Sequence, residues 1–360
     1  MEALYENLYI IVIPLFVLTS LFLIQRYYSK NTSLTDLNGK FVFVTGCDSG
    51  FGRLLVHELL KKNMNVIAGC YTTEGKNSLT EECSNYHNLG DLYTIKLDVT
   101  DIESVKSAYN YIDNLMNEKN TTLWSVVNNA GANIVKGPIE WYTIDDFKLH
   151  IDINLLGPIR VCQTFIPLLK KSKGRFVTMI SCSGRIHGFY LGPYTTSKFG
   201  LRGYMDSLRL DILPFGISVH VLEPGAFKTP LTEDKSLADR VEKAFNSLPE
   251  ETKKDYGTNF KNNLIQCWQK GVDIAASSNL YLVVNNYIHA ITSASPRHRY
   301  LCGYDAWFIF FPLSILPSHI QDKILCFLYS CHPSLNLNYT TITKHQNDPS
   351  EVNNNGKKIK

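Results

Sequence analysis

The stretch Phe41-Val42-Phe43-Val44-Thr45-Gly46-Cys47-Asp48-Ser49-Gly50-Phe51-Gly52 decides the fold, because an apolar run passes here directly into a turn with three glycines. The run is typical of a buried strand, and a helical pattern follows it. Gly46 lets the chain turn sharply, Gly50 lets backbone amides approach a pyrophosphate, and Gly52 lets the helix pack closely on the strand. The first N–H groups of that helix can bind phosphate oxygens. The stretch therefore predicts a dinucleotide-binding turn that includes Ser49 and Phe51.

Short β-branched runs alternate with longer helical patterns between positions 40 and 225. The predicted strands are Phe41–Val44, Val66–Cys70, Leu92–Leu97, Ser125–Val127, Phe176–Ile180 and Ser218–Leu222, and the predicted helices lie near 51–63, 101–117, 145–170 and 193–213. This alternation is typical of an α/β fold with a doubly wound parallel sheet, the Rossmann fold. We expect the domain to cover 38–305, with a helical substrate lid around 230–300.

A second group of residues indicates hydride chemistry at a carbinol carbon. Of the twenty tyrosines, only Tyr194 has a lysine four residues on, Lys198, and Ser181 lies thirteen residues before it. A phenol has an unperturbed pKa of about 10, and an ammonium group on the same helix face is expected to lower that pKa. Tyr194 is then the predicted general acid and base, with Lys198 tuning it. Ser181 can hydrogen-bond the substrate oxygen and stabilise developing charge.

These motifs resemble the short-chain dehydrogenase/reductase family. The spacing G-x-x-x-G-x-G at 46–52 is similar to the glycine motif of that family, and Asn128-Asn129-Ala130-Gly131 is similar to its N-N-A-G signature. Longer stretches resemble its membrane-bound retinol and hydroxysteroid dehydrogenase branch; they are Val44–Gly52, Tyr194–Leu201, Glu223–Thr229 and Pro296–Tyr300 with Gly303, Asp305 and Ala306. The similarity covers 38–330, and the chain departs from the branch at Tyr304 and in the tail after 332.

The resemblance implies roles for further residues. It assigns Asn154 as the fourth catalytic residue, holding a water in a proton relay. It also implies a cofactor site along the carboxyl ends of the strands. The residues expected there, besides Gly46, Ser49, Gly50, Phe51 and Gly52, are Asp98, Val99, Asn128, Asn129, Ala130, Gly131, Tyr194, Lys198, Pro224, Gly225 and Thr229.

The choice between NAD and NADP depends on the end of the second strand, where an acidic residue can bind the ribose 2′-hydroxyl. This chain has Cys70 and Tyr71 at that position, followed by Glu74 and Lys76. Glu74 would favour NAD and Lys76 would favour a 2′-phosphate. No arginine stands in the turn, so we predict NAD, with NADP as the less favoured cofactor.

The resemblance implies interconversion of a lipophilic alcohol, a retinoid or a hydroxysteroid, with its carbonyl. The same branch contains hydroxybutyrate dehydrogenases, so a short hydroxy acid or a lipid ketone is one alternative substrate. A non-catalytic NAD-binding membrane scaffold is the alternative from another class. The presence of Asn154, Ser181, Tyr194 and Lys198 together argues against a scaffold, which has no need of all four.

The chain is also predicted to bind a membrane. Leu8 to Ile24 is an almost unbroken apolar run with acidic residues before it and Arg26 after it, so we expect an anchor over 1–30 with the domain on the cytosolic side. An apolar segment at 306–330 is interrupted by polar residues and fits either a membrane-interfacial segment or a packed core helix.

The C-terminal end, Lys357-Lys358-Ile359-Lys360, resembles a dilysine retrieval signal and predicts the endoplasmic-reticulum membrane. It closes a polar tail, 333–360, that we expect to be disordered. Sequons at Asn31, Asn120 and Asn338 point weakly to a luminal domain instead.

Composition narrows the partners. The net charge of +3 with 19% charged residues gives no sign of nucleic-acid binding. Nine cysteines without a C-x-x-C pair indicate neither a disulfide framework nor a metal site. A homodimer through the helix near 193–213 is expected from the family resemblance.

Overall fold

The computed structural model of the 360-residue chain describes residues 20, 34, 36–84, 89–232 and 236–330. Within these residues, seven strands form one parallel sheet in the order β3-β2-β1-β4-β5-β6-β7. The strands are β1 (Phe41–Thr45), β2 (Asn65–Cys70), β3 (Leu92–Lys96), β4 (Leu123–Asn128), β5 (Arg175–Met179), β6 (Ser218–Pro224) and β7 (Arg299–Cys302). The strand order reverses between β1 and β4, and a Rossmann fold binds its ligand in the crevice beyond the carboxyl ends at that point.

Helices cover both faces of the sheet. They are α1 (Gly50–Leu60), α2 (Thr73–Cys83), α3 (Ile102–Glu118), α4 (Ile144–Ile151), α5 (Gly157–Ser172), α6 (Gly192–Asp211), α7 (Leu237–Asn246), α8 (Glu250–Ala275), α9 (Tyr281–Thr292), α10 (Phe311–Ser314) and α11 (Ser318–Ser330). Two π-helical segments, Asp152–Leu156 and Ala306–Phe310, precede α5 and α10.

Burial on both faces explains why the strands read as continuous apolar runs. In β1, Phe41 and Phe43 pack in a core with α3, α5 and α6. Val42 and Val44 point to the other face and pack in a core with α1, α2 and α9. All five residues of β1 are buried. The predicted α/β fold with a parallel Rossmann sheet is confirmed.

Two elements, α2 and β7, are not among those predicted from the sequence. Only Leu79 and Cys83 of α2 are buried, so its apolar periodicity is weak. The strand β7 has four residues and begins with a charged one, Arg299. The predicted helix at 145–170 is divided in the structure into α4, a π-helical segment and α5.

The section predicted as a substrate lid separates into two parts. The helices α7 and α8 pack with Val135 and Trp141 in a third apolar cluster, and Gly257 kinks α8 at φ +73°. The helix α9 packs in the sheet core instead, where Val283, Val284 and Tyr287 are fully buried. The lid therefore stays a prediction for α7 and α8, whereas α9 is a core helix.

Among the described residues, no helix combines the length and the apolar character needed to cross a membrane. The predicted anchor at 1–30, apart from Ser20, and the predicted tail at 333–360 lie outside the described residues. The homodimer predicted through α6 stays a prediction.

A buried arginine joins β5 to the end of α9. Arg175 is 6% exposed and stacks over Trp124 at 4.8 Å. It donates from Nη1 to the carbonyls of Ala290 and Ile291 at 2.8 and 3.0 Å, and from Nη2 to the carbonyl of Ser293 at 2.7 Å. Burial lowers the pKa of Arg175 to about 10. The guanidinium thus satisfies carbonyls that the end of a helix leaves without partners.

We predict that Arg175→Gln lowers the free energy of unfolding by about 3 kcal/mol, because it leaves buried carbonyls without donors. Arg209→Gln is the matched control, since that side chain is 32% exposed and pairs with Asp206 at 3.5 Å. Urea unfolding followed by circular dichroism measures both. Equal losses in the two variants would contradict the capping role of Arg175.

Candidate active site

The glycine turn after β1 is built so that two backbones nearly touch. Gly46 has φ +71°, and a Cβ there would lie 2.7 Å from the Cα of Ala130. At Gly52, a Cβ would lie 2.3 Å from the carbonyl oxygen of Gly46. The helix α1 starts at Gly50, Ser49 does not cap it with its side chain, and its first turn has no acidic residue. This cradle fits a dinucleotide phosphate, since neither a side-chain cap nor an acidic residue of the first turn occupies the N–H groups at the start of α1.

The side chains of the two asparagines at the end of β4, Asn128 and Asn129, bond to other parts of the protein. Asn129 donates to the carbonyls of Thr45 and Gly46 at 3.1 and 2.9 Å and accepts from the Tyr287 hydroxyl at 3.2 Å. Asn128 is buried and donates to Cys162 and Thr178. Both were predicted as cofactor residues. The side-chain amide groups of both residues donate within the protein.

Two further predicted residues follow β3. The Asp98 carboxylate accepts from the backbone N–H and the hydroxyl of Thr100 at 2.8 and 2.7 Å. Val99 is buried, and a Cβ on Gly157 would lie 2.8 Å from its Cγ2. Asp98 thus closes a local turn, and Val99 packs against the start of α5.

The loop after β6 faces the glycine turn. A Cβ on Gly50 would lie 4.0 Å from the Cβ of Thr229, and the rings of Phe51 and Phe227 meet edge to face at 5.6 Å. Asp305 fixes this loop, because its Oδ2 accepts from the Ala226 N–H at 2.7 Å. A Cβ on Gly225, which follows Pro224, would lie 2.0 Å from that oxygen. This role of Asp305 is not predicted by the sequence motifs.

A buried carboxylate ties this loop to the turn after Ser181. Glu223 is fully buried and accepts from Arg185 Nε at 2.5 Å and from Arg299 Nη1 at 2.6 Å. Arg299 also pairs with Asp206 on α6. A buried carboxylate is stable only when such partners satisfy it. No local sequence pattern predicts this cluster, because its members are far apart in the chain.

Ser181, Tyr194 and Lys198 lie together at the carboxyl edge of the sheet. Ser181 begins the short turn after β5 and accepts from the Ser183 N–H at 3.1 Å, and its hydroxyl also hydrogen-bonds the Tyr194 side chain. Tyr194 is in the first turn of α6. Lys198 is 3% exposed, lies with its Nζ 5.6 Å from the centre of the Tyr194 ring and donates to the Met179 carbonyl at 3.3 Å.

Burial shifts both ionisable groups toward their neutral forms. It raises the pKa of Tyr194 to about 12, although the hydrogen bond with Ser181 lowers that pKa in part. Burial lowers the pKa of Lys198 to about 8. The predicted lowering of the Tyr194 pKa by Lys198 is therefore wrong for the described structure, in which desolvation of the phenolate outweighs any stabilisation by the ammonium.

Asn154 lies in the π-helical segment between α4 and α5 and is fully buried. Its Oδ1 accepts from the Ala132 N–H and its Nδ2 donates to the Ala132 carbonyl, both at 2.8 Å, and Nδ2 also donates to Ser197 at 3.1 Å. A Cβ on Gly131 would lie 3.1 Å from Asn154 Oδ1 and 3.6 Å from Lys198 Nζ. π-Helical turns occur often at functional sites. Here the turn brings Asn154 against the loop beside Lys198.

We predict that the protein without added dinucleotide becomes more stable as pH rises from about 8 toward 10, because the unfolded chain then binds more protons than the folded one. Lys198, with a folded pKa of about 8, is the cause. Between pH 7 and 9.5 the gain is on the order of 2 kcal/mol relative to Lys198→Met. Urea unfolding at a series of pH values measures it. Parallel curves for the two proteins would show that Lys198 is not shifted.

Comparisons with known proteins agree with this geometry. The profile of the short chain dehydrogenase family matches residues 40–240. The chain is 44% identical to the 3beta-hydroxysteroid dehydrogenase dhs-16 of Caenorhabditis elegans, over 96% of this chain and 89% of that protein. It is 37% identical to retinol dehydrogenase 7 of Rattus norvegicus, over 86% and 95% of the two chains.

The solved structure of a short chain dehydrogenase/reductase from Burkholderia phymatum has the same fold, with a TM-score of 0.63, 18% identity, and coverage of 81% of this chain and 96% of that one. The family profile, the identities and the fold agree with the motifs quoted above. The chain belongs to the short-chain dehydrogenase/reductase family, in the branch of retinol and hydroxysteroid dehydrogenases, and is an enzyme acting on alcohol or carbonyl groups.

Proposed function

We propose that the protein is a membrane-associated oxidoreductase that interconverts a lipophilic alcohol, a hydroxysteroid or a retinol, and its carbonyl with NAD(H). The observation that carries the proposal is the position of Ser181, Tyr194 and Lys198 beside the glycine cradle, at the edge where the crevice opens. The substrate class is supported by the names of the relatives, one a hydroxysteroid and one a retinol dehydrogenase.

The nicotinamide cofactor, when bound, supplies the hydride or accepts it. The residues proposed to hold it are Gly46, Ser49, Gly50, Phe51 and Gly52 with the start of α1, then Asp98, Val99, the backbone of 128–131, Tyr194, Lys198, Pro224, Gly225 and Thr229. The backbone amides and the α1 N-terminus suit the phosphates, because they offer N–H donors and the first turn of α1 holds no acidic residue.

Tyr194 is the proposed proton donor and acceptor. Its raised pKa keeps the phenol protonated at neutral pH, so it can donate a proton to a carbonyl oxygen as that oxygen gains charge. In the oxidation direction, the phenol must first release its own proton, and the phenolate oxygen then takes the proton of the alcohol. Ser181 hydrogen-bonds Tyr194 and can hold the substrate oxygen next to it.

Lys198 and Asn154 are proposed to support this step. The Lys198 ammonium lies near the Tyr194 ring and favours negative charge there in the transition state. The Asn154 amide is engaged with Ala132 and Ser197, so its proposed part is to fix the loop that lies beside Lys198.

We predict that Tyr194→Phe lowers kcat by at least about a thousandfold, because the proton transfer is lost, while NAD binding is retained. Tyr204→Phe on the same helix is the control, since its hydroxyl meets Cys162 in the core; we expect it to stay within a few-fold of wild type. Turnover of androstane alcohols, retinol and 3-hydroxybutyrate by detergent-solubilised protein, with NAD or NADP, measures both.

The same panel separates the alternatives. Turnover of 3-hydroxybutyrate alone would favour a short-acid dehydrogenase. NAD binding without turnover of any substrate, equal in wild type and Tyr194→Phe, would favour the non-catalytic membrane scaffold.

The membrane part of the proposal is supported by exposed apolar side chains in the C-terminal segment. Phe308 is 77% exposed, Ile315 69% and Phe327 64%. The apolar run from Leu8 to Ile24 adds a second membrane-seeking stretch, and the end Lys357–Lys360 supports the endoplasmic-reticulum membrane with a cytosolic domain. Two such signals give stronger attachment than one.

We predict that protein lacking residues 1–30 still floats with phospholipid vesicles, because the C-terminal segment buries apolar side chains in the interface. Adding Phe308→Glu and Ile315→Glu is expected to reduce flotation at least about fivefold, since charges resist burial in lipid. Ile274→Glu on α8 is the control, because Ile274 is 82% exposed outside the segment. Equal flotation of all variants would remove the interfacial role of the segment.

A further inference from the structure

An acidic side chain reaches the end of β2 from the glycine turn. Asp48, two residues after Gly46, accepts from the Tyr71 N–H with Oδ2 at 2.8 Å. Its Oδ1 accepts from the N–H and the hydroxyl of Thr72, both at 2.8 Å. The end of the second strand is where a Rossmann fold binds the adenosine ribose, and where an acidic residue selects a free 2′-hydroxyl. The strand end itself offers only Cys70 and Tyr71.

The charge of Asp48 acts at this strand end. Burial, followed by the Asp48 carboxylate, raises the pKa of Cys70 to about 11, although Arg53 and Lys76 act in the opposite direction. The same carboxylate is among the causes that raise the pKa of Cys47 in the turn, after burial. The negative charge of Asp48 therefore acts on the thiols of both Cys47 and Cys70.

The arginine nearest to Asp48 is already engaged. Arg53 pairs with Glu82, Nη2 to Oε1 at 2.7 Å and Nε to Oε2 at 3.0 Å, and Nη2 also donates to Ser78 at 2.9 Å. Its Nη1 donates to the Asp48 carbonyl at 3.0 Å. The hydrogen bond with Glu82 raises the pKa of Arg53, and the same bond lowers the pKa of Glu82. A 2′-phosphate would have to compete with Glu82 for this guanidinium.

We infer that Asp48 is the residue that makes this enzyme select NAD(H) over NADP(H). A ribose with a free 2′-hydroxyl can donate a hydrogen bond to the Asp48 carboxylate, whereas a 2′-phosphate brings negative charge against it. The inference deepens the proposed function and rests on it, since it assumes that the cradle holds a nicotinamide dinucleotide. On this inference the selecting carboxylate comes from the glycine turn and not from Glu74 on α2.

The test measures binding of two cofactor fragments, ADP-ribose and 2′-phospho-ADP-ribose, by isothermal titration calorimetry on the full-length protein. Neither fragment carries nicotinamide, so the result does not depend on turnover. Wild type is expected to prefer ADP-ribose. The measured ratio is the dissociation constant of 2′-phospho-ADP-ribose divided by that of ADP-ribose. In Asp48→Asn this ratio falls at least about tenfold, because the charge that repels the 2′-phosphate is removed. The control Glu74→Gln removes the exposed carboxylate near Lys76 and leaves the ratio unchanged.

Two further measurements keep the inference testable if Asp48→Asn changes the fold. Asp48→Glu keeps the charge and is expected to keep the preference for ADP-ribose. In the wild-type protein, raising the salt from about 0.05 M to about 0.5 M is expected to bring the two dissociation constants closer together, because salt screens the repulsion between Asp48 and the 2′-phosphate. If the preference for ADP-ribose instead grows with salt, the protein attracts the 2′-phosphate. That result would overturn the inference even if Asp48→Asn does not fold.

The outcomes separate this inference from the proposed function. If wild type binds ADP-ribose preferentially and Asp48→Asn keeps the ratio, Asp48 does not select the cofactor and the proposed function stands. If wild type binds the two fragments equally, the protein does not select between NAD(H) and NADP(H) at this site, and the inference fails. If wild type binds neither fragment, the dinucleotide site and the proposed function both fail.

Discussion

The close approach of two backbone turns is the constraint on which the rest of the site depends. Gly46 after β1 and Ala130 after β4 leave no room for a Cβ between them. Asn129 closes the contact by donating to the Gly46 carbonyl. This contact holds together the ends of the two central strands, where the strand order reverses. The crevice, the start of α1 and the loop that leads to Asn154 all take their positions from it.

Burial is the second factor, and it acts on chemistry and stability together. Lys198 is almost fully buried, and burial moves the pKa values of Tyr194 and Lys198 apart, to about 12 and about 8. Desolvation of this kind costs stability, and active sites are common places for it. Glu223 at the end of β6 accepts hydrogen bonds from Arg185 and Arg299. It thereby connects the turn after Ser181 to the end of β6.

The C-terminal segment contacts the connection between Ser181 and Tyr194. Arg185 lies over the Phe311 ring at 5.4 Å, and His187 meets Asp322 of α11 at 3.0 Å. A cavity of about 280 Å³ between this connection and α11 is lined by Phe189 and Leu325 among others. The segment proposed to face the membrane is therefore next to the loop that leads into Tyr194. This arrangement suits a substrate that partitions into lipid.

The sequence by itself determined the Rossmann sheet and the edge at which the site lies, because strands buried on both faces give continuous apolar runs and site residues follow them directly. Six of the seven strands and the group Ser181, Tyr194 and Lys198 could be predicted in this way. Only the tertiary structure decided the direction of the Tyr194 pKa, the engagement of the Asn128 and Asn129 side chains, and the reach of Asp48 to β2. Each of these depends on burial or on contacts between residues far apart in the chain, which local patterns do not record.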